Sequence, residues 1–183
     1  LCNGATLPEQ SEPDQNGVGD PTECALLEAA GAHGIWRDTL LQAMPEVYED
    51  PFYPDKKRMA TVHRINGGFE VAVKGAPEVV LAYCNAVQTP GGAAPLGADD
   101  AAVWLDRTAR LCKSGMRAIA VARKSAAAPD EDHYTALVLQ GVFGIEDPPR
   151  VNIHGVIDTC RAAGIAVIMV TGDHADTARN IAA

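Results

Sequence analysis

"KRMATVHRINGGFEVAVKG", residues 57–75, is the stretch that decides the fold of this 183-residue chain. In its first half two sets of side chains alternate: Met59, Thr61, His63 and Ile65 in one, and Ala60, Val62 and Arg64 in the other. A period of two is typical of a β-strand, because successive strand side chains point to opposite faces. Asn-Gly-Gly at 66–68 then favours a tight turn into a second strand at 69–75. We therefore predict an antiparallel hairpin.

A helix is predicted before this hairpin, in "DPTECALLEAAGAHG" at 20–34. Asp20 is a favourable N-cap, and Pro21 stands at the first helical position, where an N–H has no intrahelical partner in any case. Glu23 lies three residues after the cap and completes a capping box. The pattern predicts a helix that runs to about His33 and ends at Gly34.

The other segments change character along the chain. Up to residue 136 they are an irregular, Pro-containing stretch before the hairpin, a short helix at 76–84, a loop at 89–100, an amphipathic helix at 101–115, a strand at 117–124 and a surface connection at 125–132. A strand at 137–145, a helix at about 150–163, a strand at 165–171 and a helix from about 174 follow. The later order indicates a parallel βαβ unit. We predict the fold class α+β, with an antiparallel sheet and flanking helices at 1–136 and a partial α/β segment at 137–183.

Composition and charge exclude several classes of function. Hydrophobic residues make up 47% of the chain and charged residues 21%, as in an ordinary globular protein. No apolar run approaches the roughly 18 residues that cross a bilayer. A net charge of −9 argues against a nucleic-acid partner, and the five scattered cysteines suggest neither a disulfide framework nor a metal site. Because the chain begins at Leu1 and stops inside a predicted helix, we expect it to be a piece of a longer protein.

Four separated strings occur in a characteristic order: "GDPTE" at 19–23, "KGAPE" at 74–78, "GIEDPPR" at 144–150 and "VTGDHADTA" at 170–178. Together they resemble the P-type cation-transporting ATPases, particularly the type II group that includes calcium pumps. The resemblance implies a nucleotide-binding (N) domain at 1–136. It also implies an incomplete phosphorylation (P) domain of the haloacid-dehalogenase (HAD) type at 137–183, with a DPPR hinge and a TGD loop.

The resemblance also implies what this part of a pump does. It would be the cytoplasmic portion of an integral plasma-membrane protein, binding ATP, with Mg²⁺ in the full-length protein. Its partners would be ATP and the remaining domains of its own pump, with no nucleic acid and no membrane contact. The family's phosphorylated aspartate lies in a DKTGT motif that these 183 residues lack, so we assign no catalytic residue and expect the isolated chain to be inactive.

A first group of candidate residues is assigned to the nucleotide. An aromatic ring near a lysine suits a purine with a charged tail, and by resemblance Phe52 stacks on adenine with Lys57 nearby. Lys74 would line the adenosine pocket, with Gly75 permitting a close approach of the ligand to the backbone. Pro54 stands where calcium pumps commonly carry a phosphate-holding arginine, a role that Lys56 or Lys57 would then take.

Two further nucleotide residues and a second group follow from the same resemblance. Glu23 would either cap its helix or reach the adenine amino group, and Arg117 would contact a phosphate or the ribose. Asp147 and Arg150 would form the hinge between the domains. The residues expected to meet the γ-phosphate and its magnesium region are Thr171, Gly172 and Asp173.

Two other functions stay open from the sequence. A soluble HAD-type phosphatase shares a phosphate-handling α/β core with these pumps, but the chain carries no Asp-x-Asp after an apolar strand. A stand-alone nucleotide-sensing module is the other alternative. The apolar segment "IAVIMV" at 165–170 is typical of a buried parallel strand, so we also expect dimerisation through 150–183 where its neighbours are missing.

Overall fold

Seven strands form one sheet in the computed structural model, which describes residues 1–7, 17–146 and 152–170. The strands are β1 (Glu46–Tyr53), β2 (Arg58–Ile65), β3 (Gly68–Gly75), β4 (Cys84–Thr89), β5 (Gly92–Pro95), β6 (Arg117–Ala126) and β7 (Leu137–Ile145). The helices are α1 (Pro21–Gly31), α2 (Arg37–Ala43), α3 (Pro77–Leu81), α4 (Ala98–Lys113) and α5 (Ile153–Ala162). The order across the sheet is β1-β2-β3-β6-β7-β4-β5. The α+β class is thus confirmed.

The predicted hairpin is confirmed, and it lies inside the sheet with a further strand on each side. β2 and β3 pair antiparallel without interruption from Arg58 opposite Gly75 to Ile65 opposite Gly68. Gly67, in the turn, has a φ of +86°, a conformation that L side chains rarely adopt. β3 then pairs antiparallel with β6, so the strand predicted at 117–124 joins the same sheet.

The position of β7 corrects our interpretation of the C-terminal part. We predicted that 137–145 would open a separate βαβ unit, but β7 pairs antiparallel with β6 and parallel with β4. A boundary after residue 136 would therefore cut the sheet between two hydrogen-bonded strands. The sheet extends to Ile145, and the parallel β4–β7 pair makes it mixed rather than fully antiparallel.

Two segments that we predicted to be irregular or a loop contain strands. β1, at one edge of the sheet, occupies the Pro-containing stretch before the hairpin. β5, at the other edge, lies in the segment predicted as a loop, where it pairs antiparallel with β4. The Thr89 hydroxyl donates to the carbonyl of Gly92 at 2.7 Å and closes this second hairpin. Pro51 interrupts the pattern of β1, and β5 consists of Gly-Ala-Ala-Pro, so pairing with a neighbour rather than the local pattern makes these segments strands.

The core occupies one face of the sheet. Its buried members are Ala60, Val62, Val71, Val73, Val80, Leu81, Ala120, Ala122, Ala126, Tyr134, Leu137 and Leu139. The strand residues among them alternate with those of the other face, and α3 contributes Val80 and Leu81. On β2 the alternate positions, Met59, Thr61 and His63, are also buried. Both faces of the β2–β3 hairpin are therefore covered.

The buried imidazole of His63 shows how the second face satisfies its polar groups. Its Nδ1 lies 3.2 Å from the carbonyl oxygen of Met44, and its Nε2 lies 2.7 Å from the Thr61 hydroxyl. Burial lowers the pKa of His63 below its usual value, because a charged ring would lose its hydration. The ring therefore acts as a neutral hydrogen-bonding spacer at neutral pH.

Residues 152–170 differ from the sheet in their packing. α5 has no buried residue, and 165–170 form no strand, so that part of the strand predicted at 165–171 is wrong. Ile168 is 81% and Val170 92% exposed, which shows that this apolar run has no sheet neighbour among the described residues. The helix predicted from about 174 lies outside the described residues. In the ranges that the structure describes, no helix has the length and apolarity needed to span a membrane.

Hydrogen exchange should separate these two parts of the chain. We expect amides of β2, β3, β6 and β7 to open only with global unfolding, because their ladders are paired on both sides. Amides of α5 should exchange orders of magnitude faster, since its packing buries no side chain. Helix α4, which buries Thr108 against the sheet, is the matched control. Equally slow exchange in α5 and α4 of a proven monomer would contradict this description.

Candidate functional site

A cavity of about 620 Å³ opens beside the N-terminus of α1, on the sheet face opposite the core. It is lined by Gly4, Asp20, Thr22, Glu23, Leu26, Glu49, Phe52, Lys57, Met59, Lys74, Gly75, Ala76, Arg117, Ala118 and Ile119. All six residues of the first predicted group are in this lining, although they come from four separate elements and one turn. The second group, Asp147, Arg150, Thr171, Gly172 and Asp173, lies outside the described residues.

The floor of the cavity is an ion pair between Lys74 and Glu23. Lys74, the penultimate residue of β3, has only 7% of its surface exposed, and its ammonium group contacts the Glu23 carboxylate. That carboxylate also accepts a hydrogen bond from the backbone N–H of Gly4 at 3.0 Å. Because each charge has a partner, the floor is polar but close to neutral.

Glu23 therefore does not take its predicted capping-box role. The N-cap itself is confirmed, since the Asp20 carboxylate accepts a hydrogen bond from the N–H of Thr22 at 2.8 Å. Glu23 points instead across to the sheet and the N-terminal segment. The alternative interpretation, a carboxylate that faces a ligand, is compatible with its place in the cavity lining.

Phe52 and Lys57 lie at the rim. Phe52 is 54% exposed, which excludes a role as an ordinary core residue. Lys57 adopts a left-handed backbone conformation, with a φ of +51°, and its ammonium nitrogen lies 3.5 Å from the Glu78 carboxylate. More than half of each side chain in this pair is exposed, so the attraction is weak and exchangeable. Lys56 points elsewhere, with its ammonium group 4.8 Å from the centre of the Tyr53 ring.

Gly75 lies in the cavity lining and is also needed by the backbone of the chain itself. A Cβ at this position would lie 2.9 Å from the Cα of Arg58 and closer still to the carbonyl oxygen of Lys57. The same carbonyl accepts a hydrogen bond from the N–H of Ala76 at 2.9 Å. The chain itself therefore approaches Gly75 closely, where the 53–57 turn packs against the end of β3, and the close approach of a ligand stays a prediction.

Arg117 completes the rim on the side of α1. Its guanidinium donates to the Thr22 hydroxyl at 3.2 Å. Burial works to raise the pKa of Asp20, but hydrogen bonds from Thr22 and the Arg117 charge outweigh it, and the pKa lies below its usual value. Asp20 is therefore fully ionised at neutral pH and helps to hold Arg117 at the mouth.

Several residues of the cavity lining were not predicted from the sequence. The apolar walls are Leu26, Met59, Ala118 and Ile119. Met59 and Ile119 carried one available signal, since each occupies a strand position on the face opposite the core. Nothing local distinguishes Leu26 or Glu49, which join the cavity through the packing of α1 and β1.

The arrangement fits a flat, largely apolar ligand with an anionic tail. An exposed aromatic ring, apolar walls and a neutral polar floor suit a planar base. Two exposed cations at the rim, Lys57 and Arg117, suit phosphate oxygens. Within the described ranges no three His, Cys, Asp or Glu side chains converge to hold a metal ion.

Comparison with known proteins gives a family match. The family model described as "P-type ATPase, cytoplasmic domain N" matches residues 1–152. "Calcium-transporting ATPase 1" of Bacillus cereus is 34% identical over 185 residues, covering 100% of this chain and 20% of that protein. "Probable cation-transporting ATPase F" of Mycobacterium tuberculosis is 37% identical over 171 residues, covering 90% of this chain and 19% of that protein. The chain thus spans about one fifth of the length of these relatives.

Removing one partner of the ion pair at the cavity floor should lower the free energy of unfolding more than replacing both partners does. Glu23→Gln leaves the buried Lys74 ammonium without its counter-ion and should lower the free energy of unfolding by about 3 kcal/mol. The double variant with Lys74→Met should recover most of that loss. Urea denaturation measures both, and Glu78→Gln, which breaks the exposed pair with Lys57, is the control, expected to cost at most about 1 kcal/mol. Additive losses in the double variant would show that the two groups are not coupled.

Proposed function

Because this chain belongs to the P-type cation-transporting ATPase family, and specifically to its cytoplasmic N domain, we propose that its cavity binds ATP for the rest of the pump. The observation that carries the proposal is the meeting of Phe52, Lys57 and Arg117 at the rim of one cavity with a neutral floor. These residues are far apart in sequence, and a pocket with this chemistry suits a nucleotide better than an inorganic ion.

The base would enter first. In this orientation adenine stacks on Phe52 and lies between the apolar walls, with its polar edge toward Glu23 and Lys74. The ion pair offers that edge both a carboxylate acceptor and an ammonium donor. A triphosphate is disfavoured at the same place, because the Glu23 carboxylate already neutralises Lys74 and would repel phosphate oxygens.

The phosphates would then lie at the rim. Lys57 and Arg117 provide the positive charge there, and Pro54 supplies none. Lys57 has an exposed partner in Glu78 that a phosphate can replace at little cost. With the base inside and the tail toward solvent, the γ-phosphate is presented to a group outside this domain.

The remaining steps belong to the longer protein. We propose that the γ-phosphate is transferred there to an aspartate that this chain lacks, and that ATP hydrolysis drives cation transport across the plasma membrane. Asp147 and Arg150 would act as the hinge, and Thr171, Gly172 and Asp173 would meet the γ-phosphate with its Mg²⁺. Since the described cavity lacks a convergent set of metal ligands, the ion would arrive on the phosphates of ATP.

Nucleotide titration tests the binding role. Stacking contributes about 1–3 kcal/mol per base against an association cost of at least about 4 kcal/mol, so the isolated chain should bind ATP only in the high-micromolar to millimolar range. Phe52→Ala should weaken ATP and adenosine alike by about 5- to 150-fold. Tyr48→Ala removes a ring of similar exposure, 48% against 54% for Phe52, on the same strand but outside the cavity, and is the matched control. Chemical-shift titration that shows equal losses for both variants would contradict the assignment of Phe52.

The chain alone should not turn ATP over. Because the covalent step needs a carboxylate from elsewhere, we expect neither phosphate release nor an acid-stable phosphoenzyme, with or without Mg²⁺. Measurement of released phosphate from the purified chain checks this. Turnover that disappears on substitution of an aspartate within these 183 residues would instead support the phosphatase alternative.

A further inference from the structure

Phe52 reaches the cavity through an irregularity in β1. In the β1–β2 ladder Asp50 lies opposite Ala60 and Tyr53 lies opposite Arg58, with a register shift between the two pairs. Three steps along β1 therefore correspond to two steps along β2, which is the geometry of a β-bulge. Pro51 and Phe52 both stand opposite the single residue Met59.

The extra residue decides which way Phe52 points. Successive strand side chains alternate between faces, so in a regular strand Phe52 would share the face of Asp50. The bulge changes that parity, and Phe52 lines the same cavity as Met59. Asp50, opposite the core residue Ala60, remains on the other face. Without the bulge the ring would be directed away from the ligand.

The backbone ladder holds this bulge weakly. β1 is an edge strand, so it has a neighbour on one side only. Pro51 has no N–H to donate, and the register shift leaves Phe52 without a direct cross-strand partner. The direction of the Phe52 ring therefore depends on the contacts that hold the residues flanking the bulge, Asp50 and Tyr53.

Asp50 is fixed from the far side of the sheet. The buried Tyr134 donates its hydroxyl hydrogen to the Asp50 carboxylate at 2.5 Å, across 84 residues of sequence. The backbone N–H of Tyr134 is itself bound to the Asp132 carboxylate at 2.9 Å. Burial, followed by the hydrogen bond to Asp50 and its charge, raises the pKa of Tyr134 well above its usual range. The phenol therefore stays protonated and remains a donor.

Arg58, which lies opposite Tyr53 in the ladder, packs on the same tyrosine, Tyr134. The guanidinium of Arg58 lies 3.9 Å from the centre of the Tyr134 ring and 4.8 Å from that of Tyr83. It also donates to the Tyr83 hydroxyl at 2.5 Å. Arg58 thus belongs to one cluster with Asp50, Tyr83 and Tyr134, in which the two opposite charges balance, and the hydrogen bond between Tyr134 and Asp50 is the link from that cluster to β1.

We propose that Tyr134 and Asp50 are positioning residues for nucleotide binding: their hydrogen bond, made behind the sheet, fixes the bulge that directs Phe52 into the cavity. This inference rests on the proposed function, in which Phe52 stacks on the base. Neither residue touches the ligand, and their effect reaches it through Phe52 alone.

The experiment uses the whole chain and two probes, adenosine and ATP. Tyr134→Phe and Asp50→Ala each remove the hydrogen bond and should weaken both probes by about three- to tenfold. Asp50→Asn keeps an acceptor oxygen and should bind nearly as the parent does. Tyr83→Phe removes a hydroxyl of the same cluster that does not contact β1, so it should leave affinity unchanged.

The dependence on Phe52 distinguishes positioning from a general loss of structure. In a Phe52→Ala background, Tyr134→Phe should have no further effect on affinity. The same three- to tenfold loss in that background, or unchanged affinity of Tyr134→Phe in the parent chain, would overturn the inference.

A second readout needs no nucleotide. Nuclear Overhauser contacts between the Phe52 ring and the Met59 methyl group report that both side chains share the cavity. We expect these contacts to weaken in Tyr134→Phe and to persist in Asp50→Asn and Tyr83→Phe. If the parent chain binds neither probe, the proposed function fails, while this readout still decides the inference: contacts that persist in Tyr134→Phe would overturn it.

Discussion

The ammonium group of Lys74 imposes the constraint around which the site is organised. A charge that is only 7% exposed near the end of an interior strand must be neutralised, and among the described residues the Glu23 carboxylate is the group that pairs with it. That requirement docks the first turn of α1 against β3 and places Gly4 over the same carboxylate. The cavity is the space left between this helix terminus, the sheet and the edge strand. Its neutral floor, apolar walls and cationic rim all follow from where the pair sits.

Much of the fold was predictable where local sequence carries its own signal. The β2–β3 hairpin follows from strict alternation and an Asn-Gly turn, and the start of α1 follows from its N-cap. β1 was missed because Pro51 and Pro54 interrupt its pattern, and β5 because Gly-Ala-Ala-Pro has little strand preference. β7 was recognised as a strand but given the wrong partners. A continuous apolar run fits any buried position, and only the distant strands β4 and β6 decide which one it takes.

The candidate site was likewise predictable in part: its residues could be named from the sequence, but their geometry could not. The resemblance carried by "GDPTE" and "KGAPE" implied that Glu23, Lys74 and Gly75 share one nucleotide site with Phe52, Lys57 and Arg117, and the structure places those six in the lining of one cavity. The structural role of individual residues could not be predicted from the sequence. Gly75 is required by the backbone of Lys57, and the direction of Phe52 depends on an extra residue in an edge strand. Both depend on cross-strand register, which no single segment of sequence records.

The place of β7 between β6 and β4 also sets an order of events during synthesis. The β4–β5 hairpin is joined to the rest of the sheet only through β7, and the chain makes α4 and β6 before β7 appears. On the ribosome, residues 84–95 therefore wait without a sheet partner until Ile145 has left the exit tunnel. The short length of both strands and the small side chains of β5 limit the apolar surface exposed during that interval. A nascent chain that has emerged only as far as the start of β7 would hold the β1-β2-β3-β6 part of the sheet and an unpaired β4–β5 hairpin, and emergence of the nine residues of β7 would join the two.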